Sequence, residues 1–497
     1  MTPDIASASS EHAEYYAQRR AVNPFVHRGR LNAARKLQVA LMTLTVVPVR
    51  CALIAVTLAA AWLFGALVTF GLDVKQPNKQ PVGRLRARLF LILQLLCRAL
   101  IFWMGVHWIT VRGRRAKSRR APIMIVSPHS SFMDIVVLMM NMPVPCPVSR
   151  VENARIPFLR TLCLAAQVLY VTREDTKSRR NIVQAIQERV QRPGAWPQLL
   201  IFPEGTTTNR RRLAQFKSGA FIPGVPVQPV TVEYLNAWDT YTWTGENDDQ
   251  LLPLVWKTLC QFQTHIRVTY LPPYQPCDAE RQDAALYADN LQALVAKQLQ
   301  VPVSRYSTED NRLMLQALAS GLPVVAGAVE FGELRAKYSL GFAHAKQLLQ
   351  SYAEVAAASR GLLNCEEFAE RFDLAASEVT RALFGLYDRD GKGFMDFRDF
   401  LVGRMTRFKW TRETLTELFH RLSTDANLLS VDDLVRLKCP NVDQLFYSIT
   451  TRPFTKVSCD DFVSKLEKSP ERATFMEMLL DTAAAAIEDE AAQNVSI

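Results

Sequence analysis

Polar and apolar positions fall into long blocks at the start of this chain and into short alternating runs further on. Residues 1–36 are polar and turn basic towards their end, at Arg28, Arg30, Arg35 and Lys36. This leader is too long and polar for an ordinary signal peptide. Residues 37–72 read as a transmembrane segment: from Val39 to Leu72 the chain is almost wholly apolar, interrupted by Pro48 and Arg50. The part from Cys51 onwards alone has about the 20 residues that a spanning helix needs, and Arg50 is expected to cap its start. A second apolar stretch, 85–111, carries Gln94, Arg98 and His107. An arginine at the bilayer centre is costly, so the pattern predicts an interfacial or re-entrant helix rather than a second span.

Residues 112–300 alternate short apolar runs with amphipathic stretches. The runs 123–127, 168–172, 199–202, 227–234 and 266–270 predict strands; 132–142, 157–166, 177–191 and 279–299 predict helices. This alternation predicts an α/β layer domain. A helical linker is expected over 301–350. Residues 351–465 carry an internal repeat of 32–34 residues, aligned on Gly361, Gly393 and Asn427. A fourth unit is expected to end at Asp461-Phe462. Residues 466–497 are expected to form a tail, acidic and frayed towards its end.

Charge sharpens this division. Residues 301–497 hold 23 Lys/Arg against 29 Asp/Glu, a balance of −6, which leaves +17 of the overall +11 on residues 1–300. A basic half favours anionic partners such as phospholipid head groups and phosphorylated cofactors. Nucleic acid is not expected, because basic residues do not interleave with aromatics in a stripe. Nine cysteines without a Cys-x-x-Cys pair read as reduced thiols, and seven scattered histidines argue further against zinc.

The chemistry lies at two strand mouths. His129-Ser130-Ser131-Phe132-Met133-Asp134 follows the apolar run Ile123–Val126, and Pro203-Glu204-Gly205-Thr206 follows Leu199-Leu200-Ile201-Phe202. Five residues along a helix is about 140° of rotation, so His129 meets Asp134 only from the turn before the helix. Ser130 or Ser131 is then the expected N-cap. A carboxylate so placed would hold the imidazole tautomer and leave the other nitrogen as a base. No Ser or Cys sits in a nucleophile elbow, so direct attack by a substrate hydroxyl is expected. Backbone N–H groups after His129 are expected to meet the oxyanion. With Arg173, Arg210–Arg212 and Lys217 nearby, these residues point to acyl transfer.

At these residues the chain resembles the glycerophospholipid acyltransferases, and more closely the lysophosphatidylcholine acyltransferases that carry C-terminal EF-hands. The resemblance runs through Asn23-Pro24-Phe25-Val26-His27, Pro128–Asp134, Trp196–Thr206, Asn209-Arg210, Phe216-Lys217, Gly219–Gly224 and Pro226–Val230. It implies an α/β acyltransferase domain behind an N-terminal membrane helix, with an all-α EF-hand-like C-terminal domain. It implies that His129 deprotonates the free glycerol hydroxyl of a lysophospholipid, which attacks the thioester of acyl-CoA, and that Asp134 orients His129. Glu204, Gly205 and Thr206 match the motif that positions the acyl acceptor, Arg173 matches the arginine on its phosphate, and Lys217 is expected to be either a further phosphate contact, to head group or CoA, or a solvated surface lysine. The expected acceptor is lysophosphatidylcholine; acetyl transfer to an ether lysophospholipid and acylation of lysophosphatidic acid are the neighbouring readings. A calcium-responsive membrane scaffold with an inactive domain is the reading from another class. The implied partners are acyl-CoA, lysophospholipids and membrane phospholipids, and the implied place is the endoplasmic reticulum membrane, with the Golgi and lipid droplets as further sites.

An EF-hand loop offers oxygens from positions 1, 3, 5, 7 and 9 and a bidentate Glu at 12. Asp388, Asp390 and Asp396 fill positions 1, 3 and 9, the Phe394 carbonyl serves at 7, and Asp399 stands at 12, one methylene short. Lys392 at position 5 offers no oxygen. A weak calcium site, open to competing magnesium, is expected here; the other units lack acids at positions 1 and 3 and are expected to be structural.

Overall fold

The computed structural model describes residues 10–27, 29, 31–70, 84–140, 144–155, 157–172, 176–192, 194–244, 251–372, 374, 377–406, 411–425, 427–436, 456–469 and 471–478. The chain forms two compact units, Arg20–Thr308 and Met1–Arg19 with Glu309–Ile497. Helix α1 (Ser10–Val22) crosses the division, so its residues 10–19 count with the second unit.

In the first unit the apolar block splits into α2 (Ala33–Leu44) and α3 (Val46–Thr69). Among the described residues α3 is the one helix long and apolar enough to cross a membrane. Arg50 does not cap it. The residue lies inside α3, buried, and its guanidinium donates to the carbonyls of Leu259 and Gln261 at 2.6 Å each and of Phe262 at 3.1 Å. Those carbonyls stand at the end of a helix over Leu251–Leu259 and in the turn after it, where a cation satisfies the orphan acceptors of a helix C-terminus.

The second apolar stretch is half helix and half strand, which corrects the single helix expected over 85–111. Helix α4 (Arg84–Trp103) stops before Gly105, whose φ of +92° ends it, and β1 (Val106–Arg112) follows. The β-branched and aromatic residues of Val106-His107-Trp108-Ile109-Thr110-Val111 favour the strand. Arg98 turns back to donate to the carbonyls of Val106 (3.0 Å) and His107 (2.7 Å), so its charge is not left among apolar groups.

Seven strands make one mixed sheet: β1, β2 (Ile123–Val126), β3 (Cys146–Arg150), β4 (Leu169–Val171), β5 (Leu199–Ile201), β6 (Val227–Tyr234) and β7 (Thr264–Tyr270), in the order β1-β7-β6-β2-β5-β3-β4. Neighbours are parallel except β6 with β7. Central β2 is buried at every position, as a strand covered on both faces must be. Met124 and Val126 pack on one face with Val230 and Val232, while Ile123 and Ile125 pack on the other with Leu199 and Leu291. Strands β1 and β3 are additions to the expected set. The helix expected over 279–299 breaks at Asp283, whose carboxylate accepts the N–H of Ala285 (2.8 Å) and Leu286 (3.2 Å) and starts a second helix.

The second unit is helical. Residues from 309 onward belong to it, so most of the expected linker is part of its core; the buried Asp310 carboxylate accepts the N–H of Val329 (3.0 Å) and Phe331 (2.9 Å). The repeat appears as units of helix, loop, short strand and helix joined in pairs; of the fourth unit the strand Lys456–Ser458 and the helix Cys459–Leu466 are described. Leu363 pairs with Met395 and Leu429 with Val457, in short antiparallel ladders. Each of these residues lies two positions after the aligned glycine or its equivalent. Gly361 and Gly393 both take φ of +81°, a left-handed turn that glycine enters without a Cβ clash.

Candidate active site

From the end of β2 the chain turns through Ser127 and a cis-Pro128 to His129. Helix α5 (Met133–Met139) then begins, so His129 lies in the turn and Asp134 in the first helical turn. His129 Nδ1 and Asp134 Oδ2 are 2.9 Å apart. The cap differs from expectation: Phe132 holds the N-cap position, and Ser131 Oγ accepts the Met133 N–H at 3.2 Å.

Asp134 is fully buried, whereas the His129 side chain keeps 21% exposure, so only the imidazole reaches the surface. Besides Nδ1, Oδ2 of Asp134 accepts the N–H of Ser130 (2.8 Å) and Ser131 (2.9 Å), and Oδ1 accepts the Tyr234 hydroxyl (2.6 Å). The carboxylate accepts from each of these groups. An ionised carboxylate only accepts, so Nδ1 carries the proton and Nε2 is left as the acceptor. The oxyanion expectation changes accordingly, because the Ser130 and Ser131 N–H groups are already engaged by Asp134. The imidazole also stacks on Phe202 at the end of β5, with ring centroids 3.8 Å apart and planes at 20°.

Glu204 stands beneath this turn. Its Oε1 accepts the Ser127 hydroxyl (2.8 Å) and the His129 N–H (3.0 Å), and its Oε2 accepts the Thr208 hydroxyl (3.1 Å). The Thr208 N–H in turn donates to the His129 carbonyl at 2.7 Å. Burial pushes the Glu204 carboxyl up to about 7, against the donors that oppose the shift. The side chain has no exposed surface, and its oxygens hold the His129 turn in place. Thr206 is buried as well. Gly205 takes φ of +67°, and the Lys217 side chain crosses it so closely that a Cβ would meet Cε at 3.0 Å. Lys217 therefore sits at the turn, its N–H donating to the Pro203 carbonyl at 2.9 Å. Arg173 lies outside the described residues.

Arg210, first of the basic run, is engaged within the protein. It binds Asp239 and, at 3.1 Å, the Thr242 hydroxyl, and its guanidinium lies 5.2 Å from the Tyr234 ring centroid. Burial raises the Asp239 carboxyl, but Arg210 and the Thr242 hydroxyl outweigh it and hold the group below its ordinary value. Asn209 receives the leader: its side-chain amide donates to the carbonyls of Asn23 (2.8 Å) and Val26 (2.9 Å). Tyr234, Phe202, Ser127 and Thr208 were not singled out from sequence. For Tyr234 the available signal was a polar tip at the carboxyl end of an apolar strand, the edge where sites of such sheets gather.

The metal candidates lie in the second unit. Asp388 accepts the N–H of Lys392 and Gly393 at 2.8 Å each, and Lys392 Nζ stands 2.8 Å from Asp399 Oδ2 and 3.4 Å from Asp390 Oδ2. A lysine ammonium between the residues of positions 3 and 12 does not fit a calcium ion in the same loop. Among the described residues no group of three or more His, Cys, Asp or Glu side chains is placed to hold a metal ion.

The chain matches the Acyltransferase family over residues 108–233. Lysophosphatidylcholine acyltransferase 2 of Mus musculus is 37% identical over 477 residues, 92% of this chain and 85% of that protein. Lysophosphatidylcholine acyltransferase 1 of Mus musculus is 36% identical over 91% of this chain and 86% of its own. Lysophosphatidylcholine acyltransferase 2 of Homo sapiens is 39% identical over 77% and 70%. A solved structure, the 1-acyl-sn-glycerophosphate (LPA) acyltransferase PlsC from Thermotoga maritima, is 16% identical over 54% of this chain and 99% of its own, with a TM-score of 0.35.

Proposed function

The chain belongs to the lysophosphatidylcholine acyltransferase family, and we propose that it transfers the acyl group of acyl-CoA to the free glycerol hydroxyl of a lysophospholipid, with lysophosphatidylcholine the preferred acceptor. The observation that carries this reading is the His129–Asp134 pair, 2.9 Å apart, with the carboxylate buried and the imidazole reaching the surface. In the reaction, His129 Nε2 takes the proton of the acceptor hydroxyl as the oxygen attacks the thioester carbonyl. The tetrahedral intermediate collapses, the C–S bond breaks, and the imidazolium returns the proton to the departing CoA sulfur. Asp134 stabilises the imidazolium throughout, and such a base contributes about 10²–10⁴-fold in rate. Lys217, beside the Glu204-Gly205-Thr206 turn, supplies positive charge for a phosphate of donor or acceptor.

Helix α3 supports a membrane setting, which we assign to the endoplasmic reticulum. The C-terminal unit reads as two pairs of EF-hand relatives, supported by the glycine turns and by strands that pair at the same loop position. The test is acyl transfer by membranes expressing the protein, with labelled acyl-CoA or acetyl-CoA and a panel of lysophospholipids, beside His129→Ala and Asp134→Asn. Loss of transfer in both variants is expected, and the best donor and acceptor identify the substrates. Transfer that survives in His129→Ala rejects the dyad; none from any form, at equal expression, favours the scaffold.

A further inference from the structure

We propose that Lys392 and helix α1 take the place of a divalent ion in the 388–399 loop, so that residues 10–19 are its resident ligand and its closed form needs no metal; the inference rests on the EF-hand reading above. The loop carries four carboxylates, Asp388, Asp390, Asp396 and Asp399. Each is engaged by the chain itself. Asp388 closes the turn through the N–H groups of Lys392 and Gly393. The Lys392 ammonium bridges Asp399 at 2.8 Å and Asp390 at 3.4 Å. Asp396 is met from α1: Arg19 Nη1 lies 3.0 Å from its Oδ2, and the Tyr15 hydroxyl donates to the same oxygen.

Aromatic contacts close the same space. The Lys392 ammonium lies 5.5 Å from the Tyr15 ring centroid and 5.4 Å from that of Phe394. Tyr15 and His12 meet Phe394 edge-on at 5.0 and 5.4 Å. One residue along, the Tyr16 hydroxyl donates to the Arg360 carbonyl in the paired loop at 2.8 Å, so α1 touches both loops of the pair. Tyr352 fastens the loops from inside, its one hydroxyl proton shared between the carbonyls of Gly361 (3.1 Å) and Met395 (2.9 Å). A divalent ion would have to displace an ammonium and a guanidinium already paired with its ligands, or sit beside them against like charge. The first loop offers no alternative, because Ala356 and Ala358 stand at its positions 1 and 3 and bring no side-chain oxygen.

The experiment uses the full chain in detergent micelles, with calcium titration calorimetry and amide hydrogen exchange of residues 10–19. The unaltered protein is expected to show no saturable calcium binding up to about 1 mM, the weak end of the EF-hand range. Residues 10–19 are expected to exchange slowly, equally in calcium and in chelator. Arg19→Ala, which removes a charge-assisted hydrogen bond, should speed that exchange roughly ten- to hundredfold. Lys392→Asn with Asp399→Glu and Arg19→Ala supplies the missing oxygen and the longer carboxylate, frees Asp396 from the guanidinium and should gain one saturable calcium site. Saturable binding by the unaltered protein that Asp388→Ala abolishes overturns the proposal, and so does fast exchange of residues 10–19 before any substitution. A triple variant that stays folded, by its thermal midpoint, yet gains no calcium overturns the EF-hand reading underneath it.

Discussion

The Tyr234 hydroxyl donates to Asp134 Oδ1 at 2.6 Å, across one hundred residues of sequence. It supplies the oxygen of the dyad carboxylate that His129 does not use. Tyr234→Phe keeps the ring and removes the donor, so kcat is expected to fall about tenfold, the worth of one hydrogen bond to a charged group. KM should hardly change, because Tyr234 is buried and touches no substrate surface. An unchanged kcat in a folded Tyr234→Phe variant would remove Tyr234 from the proposed catalytic arrangement.

Glu204 gives the protein a stability that depends on pH. Its folded-state carboxyl is pushed up to about 7 from 4.5, so the folded protein holds this proton more tightly than the unfolded chain does. The contribution is complete below pH 4.5 and is lost as pH rises through 7, roughly 3 kcal/mol in all. Glu204→Gln keeps the acceptor for Ser127 and His129 and offers Thr208 a donor in place of a carboxylate oxygen. The thermal midpoint of the unaltered protein should fall between pH 4.5 and 7 more steeply than that of the Gln variant; parallel curves would refute the assignment.

Gly205 is constrained twice, by φ of +67° and by Lys217 Cε and Thr308 Oγ1, which a Cβ would meet at 3.0 and 3.2 Å. Gly205→Ala is therefore expected to cost about 1–2 kcal/mol of stability. It should also raise KM more than it lowers kcat, because the displaced group is Lys217 and not the dyad. Denaturant unfolding and steady-state kinetics check the two halves separately.

Arg50 joins α3 to the end of the Leu251–Leu259 helix through three carbonyls. Arg50→Met leaves them without that partner and should destabilise by about 2–4 kcal/mol. Arg50→Lys should recover part of the loss, since a single ammonium lacks the flat fork that reaches several acceptors. The readout is the thermal midpoint in detergent; equal midpoints for Met and Lys would show that the guanidinium geometry does not matter.

Some of this was legible locally. The runs at Ile123–Val126 and Leu199–Ile201 are short, apolar and bounded by turn residues, and each is a strand. Strand β1 was hidden because it continues an apolar helix without a polar break, and hydropathy does not mark where the backbone changes period. Strand β3, with Cys146-Pro147-Val148-Ser149-Arg150, carries no alternation to find. Arg50 read as a break in an apolar segment because its acceptors lie far along the chain, and Arg98 did because its acceptors lie past the turn at Gly105, which hydropathy does not mark.

By itself the sequence determined the class of this protein: an apolar N-terminal segment, an α/β layer domain, a repeat aligned on glycines, and a histidine and a carboxylate five residues apart. Those features are written in spacing and periodicity, which neighbouring residues enforce through backbone geometry. Only the tertiary structure decided that Tyr234 completes the dyad, that Glu204 lies buried under it, and that Lys392 and Arg19 occupy the acidic loop. Each of those depends on a partner far along the chain, and folding, not spacing, decides which buried donor meets which acceptor.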